Sequence, residues 1–292
     1  VKLRLDYQGF YDWPAMLGFF STRAITGLEW VADGVYSRSI CLNGVQGTFS
    51  VAQARGDALA LTLNFPEPAA VPEIVARVRR MFDLDADLPR VHLNLAADPL
   101  MAWLIARHPG VRVPGAWDGL ELAMRAVLGQ QISVVAAIKL AGKLVAQYGE
   151  PLAVAQPALP QLTYVFPVVS VLAHADLATL GMPRSRGRTL SGVAQALLDE
   201  PRLFEPAQHV QAQVTQLLAL WGIGEWTAQY IALRQLRDPD GFPVGDVGLL
   251  NALLALEGTP LTARALQARA ERWRPYRGYA AQLLWTSLGR AD

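Results

Sequence analysis

A single cysteine, Cys41, in 292 residues excludes an internal disulfide and the four thiolates of an iron–sulfur cluster. A reducing compartment suits such a chain. Lysine is nearly as scarce: Lys2, Lys139 and Lys143 are the whole set, so arginine carries most of the positive charge and no lysine follows position 143. Histidines such as His108, His174 and His209 lack ligand spacing, and no HxxxH or CxxC pattern exists, which argues against a catalytic metal. Excess charge is also missing. A net charge of +1 argues against a broad polyanion-binding surface and leaves local basic patches as the route to an anionic partner. Long apolar runs are absent too, the stretch Tyr164 to Ala173 being broken by Pro167, so neither a membrane span nor a signal peptide is expected.

With 52% hydrophobic residues the chain is long enough for two or three small domains sharing sizeable cores. Residues 1–90 read as a mixed α/β domain. Leu59, Leu61, Leu63 and Phe65 alternate with smaller or polar residues, as do Val45, Gly47, Phe49 and Val51, which is the period of half-buried strands. Asn43-Gly44, between strands at 36–42 and 45–51, is the pair that a two-residue type I′ hairpin demands, and Arg55-Gly56-Asp57 reads as the next turn. Helices are expected from Trp13 to about Ile25, with Asp12 as cap and Pro14 in the first turn, and from Pro72 to Phe82. From about residue 98 helical periodicity dominates, notably over Gly119 to Tyr148 and Leu177 to Leu198, the latter as two helices around Gly181-Met182-Pro183. Pro151 to Pro167, with four prolines, reads as a connection. The expected class is α+β: an N-terminal antiparallel sheet with helices, then an all-α body divided into 91–205 and 206–292.

The densest chemical signal lies at Leu217 to Leu233, LLALWGIGEWTAQYIAL. Val214, Leu217 and Leu218 before the glycines, and Trp226, Tyr230 and Leu233 after them, recur at helical spacing, so Gly222-Ile223-Gly224 joins two helices. Unpaired N–H groups at the second helix start, backed by the helix dipole, form an anion site that needs no basic side chain. Taken alone, the hairpin reads equally well as an ordinary αα-corner. Beyond it, Phe242-Pro243-Val244-Gly245-Asp246 is a polar loop ending at an Asp that opens an apolar helix. Asp246 caps that helix on a bland reading; Asp238 and Asp240 sit in a turn composition.

The hairpin followed by a loop and a helix-opening Asp resembles the helix-hairpin-helix DNA glycosylases. Further blocks in the same order, Asp12-Trp13-Pro14 with Met16 to Phe19, Arg125 to Ser133, Leu180 to Pro183 and Arg272 to Arg277, resemble the bacterial 3-methyladenine DNA glycosylase II (AlkA) type. The resemblance implies a monofunctional enzyme that flips alkylated purines out of duplex DNA and hydrolyses the N-glycosidic bond without a cofactor, leaving an abasic site. Alternatives are a relative acting on oxidised or deaminated bases and an inactive helix-hairpin-helix DNA-binding module. A monomer acting in the cytoplasm on the nucleoid is implied; the start at Val1 leaves open a trimmed chain or one half of a fused alkylation-response protein.

Residue by residue, the resemblance assigns Asp246 to stabilising the oxocarbenium-like transition state. It assigns Trp226, Tyr230, Phe19 and Tyr276 to the base pocket, where aromatic faces attract cationic purines, with core packing as the alternative for each. Tyr276 stands where some members carry Trp. Gln131 matches the residue that fills the gap left by the flipped base, or else is an exposed turn residue. Gly222, Ile223, Gly224 and Thr227 would grip phosphate, and a monovalent cation would sit on the carbonyls of Leu218, Leu220 and Ile223. Members that cleave the DNA backbone place a Schiff-base lysine where this chain has Trp226.

Overall fold

The computed structural model describes residues 1–153, 157–207 and 209–289. It opens with β1 (Lys2–Asp6), α1 (Trp13–Ser21), β2 (Glu29–Ala32), β3 (Val35–Leu42), β4 (Val45–Gln53), β5 (Ala58–Asn64) and α2 (Val71–Met81). The five strands form one antiparallel sheet in the order β1-β5-β4-β3-β2. Asn43 and Gly44 both take positive φ between the paired ends Leu42 and Val45, the requirement of the expected tight turn. Gly56, also at positive φ, turns β4 into β5.

The Asp12 carboxylate accepts the Ala15 N–H at 3.0 Å and starts α1, as expected. The helix stops at Ser21, short of Ile25. The Thr22 hydroxyl bonds back to the carbonyls of Gly18 and Phe19, offering the chain an alternative to the next helical turn. Ile25 and Leu28 thereby leave the sheet's core and bury themselves in the helical body.

That body comprises α3 (Leu88–Leu95), α4 (Pro99–Arg107), α5 (Gly119–Leu128), α6 (Val134–Tyr148), α7 (Val169–His174), α8 (Arg184–Asp199), α9 (Val210–Leu218), α10 (Glu225–Arg234), α11 (Val247–Glu257), α12 (Ala263–Ala270) and α13 (Arg277–Leu288). Within the proline-bearing segment 151–167, residues 154–156 lie outside the described residues. The flanks pair as a short ribbon, β6 (Glu150–Pro151) with β7 (Tyr164–Val165). Of the two helices expected over 177–198, the first is only a 3₁₀ turn, Leu177–Leu180, ended by Gly181 at positive φ; α7 precedes it.

Side chains sort into three cores. The sheet, α1 and α2 share one. Helices α5 to α10 share a second, and α3, α4 and α11 to α13 share a third. The division expected at 205/206 does not coincide with this partition, because α9 and α10 bury their apolar side chains with α5–α8, and α3 and α4 bury theirs with the C-terminal helices. Helix α10 is the wall between the two helical cores: Ala228, Ile231 and Ala232 face one and Leu233 the other. A third stripe, Trp226, Tyr230 and Arg234 at i, i+4 and i+8, remains for something else.

Sheet and body are joined by a buried ionic cluster. Arg38 on β3 meets Glu121 on α5 at 2.6 Å, while Arg125, one turn further along α5, meets both Glu121 at 2.7 Å and Glu29 on β2 at 2.5 Å. Tyr36 donates to Glu29 at 2.7 Å. Burial opposes the charged form of Glu121, but Arg38 and Arg125 outweigh it and hold the carboxyl down at about 2.

Replacing Glu121 with Leu leaves two buried guanidinium groups short of a counter-charge and is expected to cost about 3–5 kcal/mol in urea unfolding. A loss below about 1 kcal/mol would show that the cluster does not hold the sheet to the body. The folded-state value of Glu121 lies below its unfolded value of about 4.3. Its contribution is therefore complete above that value and lost as pH falls from about 4.3 toward 2, so acid unfolding of Glu121→Leu should show a shallower pH dependence in that window.

Candidate active site

At the turn between α9 and α10, Ile223 is buried in the helical core and its N–H bonds the Leu220 carbonyl at 3.1 Å, which fixes the loop. Gly222 stands at φ +81°, and a Cβ there would meet the Thr189 hydroxyl on α8 at 2.0 Å. It is glycine for fit as well as for conformation. Gly224 differs: its φ is −94°, nothing lies within 4 Å of a Cβ position, and it opens α10 with no side chain capping the first turn. The first turn of this ten-residue helix thus carries no side-chain cap, and its N–H groups stand at the positive end of the helix dipole.

The hydroxyl of Thr227 is not part of that opening. Thr227 is buried, and its Oγ1 accepts from Gln130 Nε2 at 3.1 Å, the same amide nitrogen that reaches the Gly222 carbonyl at 3.1 Å. Gln130 therefore ties the α5–α6 turn to the hairpin, a role that sequence reasoning missed. Its own carbonyl receives Arg186 Nη2 at 2.6 Å. This bracing leaves Gln131 as the exposed residue of the turn at φ +58°, flanked by the exposed Val134 and Val135.

Asp246 caps α11 and does more. Gly245 at positive φ swings the chain out of the preceding loop, and the carboxylate then meets three N–H groups. Oδ1 accepts from Leu249 N at 2.9 Å and from the Trp285 indole at 2.9 Å; Oδ2 accepts from the Trp226 indole at 2.8 Å. All three partners are donors, which is the bonding an ionised carboxyl takes. Capping and presentation are thus one arrangement. Gly248 makes room for it: a Cβ there would lie 2.9 Å from Asp246 Oδ1 and 3.2 Å from the Trp285 ring.

Trp226 in turn stacks on Tyr230, centroids 5.0 Å apart and planes 13° from parallel. Phe19 of α1 joins from the sheet domain, its ring 4.5 Å from the Arg234 guanidinium carbon, which also lies 4.9 Å from the Tyr230 ring and 5.2 Å from the Trp285 ring. Trp226, Tyr230 and Phe19 are therefore gathered as expected. Tyr276 is not gathered with them: it packs edge-on against Tyr279 and lines a cavity of about 320 Å³ with Arg79, Asp83 and Arg237. The fourth aromatic of the group is Trp285 on α13, whose sequence context is an ordinary apolar helix. Its signal was available in the indole N–H, which needs an acceptor when partly buried. Asp238 and Asp240 are spent on turn and ion-pair contacts, Asp240 with Arg274 and Arg277.

The carbonyls of Leu218, Leu220 and Ile223 are hard oxygen donors near the hairpin, the type that suits a monovalent cation; that of Leu220 already takes one N–H. Among the described residues no cluster of His, Cys, Asp and Glu could hold a metal ion.

Family models match two parts of the chain: the AlkA N-terminal domain over residues 2–118 and the HhH-GPD superfamily base excision DNA repair protein over residues 124–277. The chain belongs to the HhH-GPD superfamily. It is 35% identical to DNA-3-methyladenine glycosylase 2 of Escherichia coli, covering 98% of this chain and 97% of that protein. It is 39% identical to a probable bifunctional transcriptional activator/DNA repair enzyme AlkA of Mycobacterium tuberculosis, over 99% of this chain but 57% of that relative's length. The chain thus spans little more than half of the mycobacterial proteins it matches. A 3-methyladenine DNA glycosylase structure from Archaeoglobus fulgidus shares the fold with a TM-score of 0.84 at 23% identity, covering 97% of each chain. Among the described residues no helix of this HhH-GPD protein is long and apolar enough to cross a membrane.

The two hairpin glycines should separate in a stability measurement. Gly222→Ala forces a positive-φ alanine against Thr189 and is expected to cost about 1–3 kcal/mol, whereas Gly224→Ala should change stability by less than about 0.5 kcal/mol. Equal losses in denaturant unfolding would contradict the assignment of Gly222 to packing and Gly224 to the open helix end.

Proposed function

We propose that the chain is a monofunctional DNA glycosylase that flips alkylated purines of the 3-methyladenine and 7-methylguanine class out of duplex DNA and hydrolyses their N-glycosidic bond. The observation that carries this reading is the Asp246 carboxylate held between the indoles of Trp226 and Trp285 and beside the stacked Trp226–Tyr230 pair. The stacked rings and Phe19 receive the flipped base, and the carboxylate faces the sugar. As the C1′–N bond breaks, its electron pair leaves with the base; the positive charge that grows on the sugar is stabilised by Asp246. Water then attacks C1′ and releases a proton. An alkylated ring already carries positive charge, so it departs without a general acid.

Binding is assigned to groups apart from that chemistry. The open N–H groups from Gly224 onward take a phosphate through the helix dipole, and the backbone of Gly222 and Ile223 shapes the turn that presents them. With its hydroxyl engaged by Gln130, Thr227 contributes through its main-chain N–H. Gln131, exposed and at positive φ, enters the gap where the base was and can bond the orphaned partner base. A monovalent cation on the Leu218, Leu220 and Ile223 carbonyls would add positive charge behind the hairpin. One chain carries the complete set, so a monomer acting on chromosomal DNA in the cytoplasm suffices.

The absence of lyase chemistry rests on Trp226, which offers no amine at the sugar. Lys143 on α6 is turned to the Leu180 carbonyl at 3.4 Å. A DNA-binding module without catalysis would have no use for two indole donors aiming one carboxylate.

Asp246→Asn is expected to abolish base release from methylated duplex DNA while leaving affinity for an abasic-site analogue within about an order of magnitude. Excision at wild-type rates would remove Asp246 from the mechanism. The wild-type product should stay unnicked until alkali is added, with no adduct trapped by borohydride; a trapped adduct lost in Lys139→Ala would move the protein to the lyase branch.

A further inference from the structure

Arg234 completes the i, i+4, i+8 stripe of α10 behind Trp226 and Tyr230, and it is almost fully buried. Its Nη1 donates to the Pro114 carbonyl at 2.8 Å and its Nη2 to Gln282 Oε1 at 3.2 Å, while Nε has no partner. Both partners are neutral. Among the described residues it forms no ion pair, a lack it shares with the equally buried Arg112, whereas Arg38, Arg125 and Arg237 each meet a carboxylate. Burial lowers its pKa, yet an arginine keeps its proton in the neutral range. The guanidinium instead lies against three aromatic rings, those of Phe19 at 4.5 Å, Tyr230 at 4.9 Å and Trp285 at 5.2 Å. Arg23 lies 4.1 Å from the same Phe19 ring.

Of these rings, Phe19 and Tyr230 are among those that the proposed reaction offers to the flipped base, Tyr230 with Trp226 stacked on it, and Trp285 is the indole that holds Asp246. A ring attracts a cation through the negative faces of its π-system. A guanidinium on one face draws that electron density toward itself, and its charge acts through the half-buried ring on anything stacked beyond it; Arg234 itself is buried, so water screens its charge less than it would at the surface. A cationic purine therefore gains less from this aromatic wall than the rings alone would give. A neutral purine loses little.

We propose that Arg234 is a specificity-determining residue: its charge, paired with no carboxylate and set behind Phe19, Tyr230 and Trp285, penalises cationic alkylated purines relative to neutral lesions, and so shifts the ratio of excision toward neutral bases such as hypoxanthine. This rests on the glycosylase reading above. Arg234 touches the rings that hold the base rather than the base, so it acts by setting their electrostatics.

The test compares single-turnover excision of 7-methylguanine, cationic, with that of hypoxanthine, neutral, from the same duplex context, in wild type, Arg234→Gln, Arg234→Lys and Gln282→Glu. Gln282→Glu is nearly isosteric and supplies the missing counter-charge without removing Arg234. The ratio of the two rates cancels any change in stabilisation of the sugar cation, which both substrates share, and any uniform loss from misfolding. The ratio should rise by about an order of magnitude in Arg234→Gln and in Gln282→Glu, and stay near wild type in Arg234→Lys, which keeps the charge. Should the Arg234 variants fail to fold, Gln282→Glu decides alone. An unchanged ratio in Gln282→Glu, or parallel losses on both substrates in every variant, would overturn the proposal. No release of either base by wild type would instead remove the glycosylase reading beneath it.

Discussion

The arrangement turns on one carboxylate that three separate helices must agree to hold. Asp246 belongs to α11, its two indole donors to α10 and α13, and its backbone donor to the first turn of α11 itself. Each bond is a charge-assisted N–H contact, individually stronger than a neutral one. The backbone donor cannot be repositioned without shifting a helix that is part of a core, and the two indoles stand on helices that are each packed into one. Packing α11 against α13 brings Trp285 into reach, and Gly248 permits it. Rigidity here is a consequence of burial elsewhere.

Helix α10 is the element on which both halves of the proposed chemistry meet. Its N-terminus is exposed and uncapped, the end to which a phosphate is assigned in the proposed reading; one side closes the core of α5–α9, another touches the core of α3, α4 and α11–α13, and the remaining stripe is Trp226, Tyr230 and Arg234. The sheet domain reaches this stripe through Phe19 and is locked to the body by the Arg38–Glu121–Arg125–Glu29 cluster. Such a buried cluster is a poor source of stability compared with apolar packing, but it fixes register, because any other docking would strand charges. On that view the cluster serves to deliver Phe19 to α10.

Much of this was legible in the residues. The period-2 strands, the Asn43-Gly44 turn, the Asp12 cap and the glycine-joined helices follow local rules, and local rules are where sequence speaks plainly. Asp246, Trp226 and Tyr230, which the fold brings together, lie in one short stretch whose two motifs carry the family resemblance. What escaped depended on contacts between distant segments. Trp285 lies 39 residues beyond Asp246 in a helix whose pattern marks it only as core, and the resemblance, which carries no distances, points to Tyr276 and not to it. Gln130 and Gln131 are indistinguishable in composition; only the hydrogen bonds to Gly222 and Thr227 tell the brace from the exposed residue. The division of the helical body was invisible for the same reason, since α3 and α4 find their partners more than a hundred residues later.

The measurement that bears most directly on the central claim is single-turnover base excision by Trp285→Phe, which keeps an aromatic ring at the site and deletes the indole N–H on Asp246. If the two indoles aim the carboxylate for catalysis, the maximal rate should fall about ten- to hundredfold, the worth of one hydrogen bond to a charged group, with affinity for substrate duplex unchanged. A wild-type rate in Trp285→Phe would contradict the account, because Asp246 would then act without the grip that distinguishes it from an ordinary helix cap.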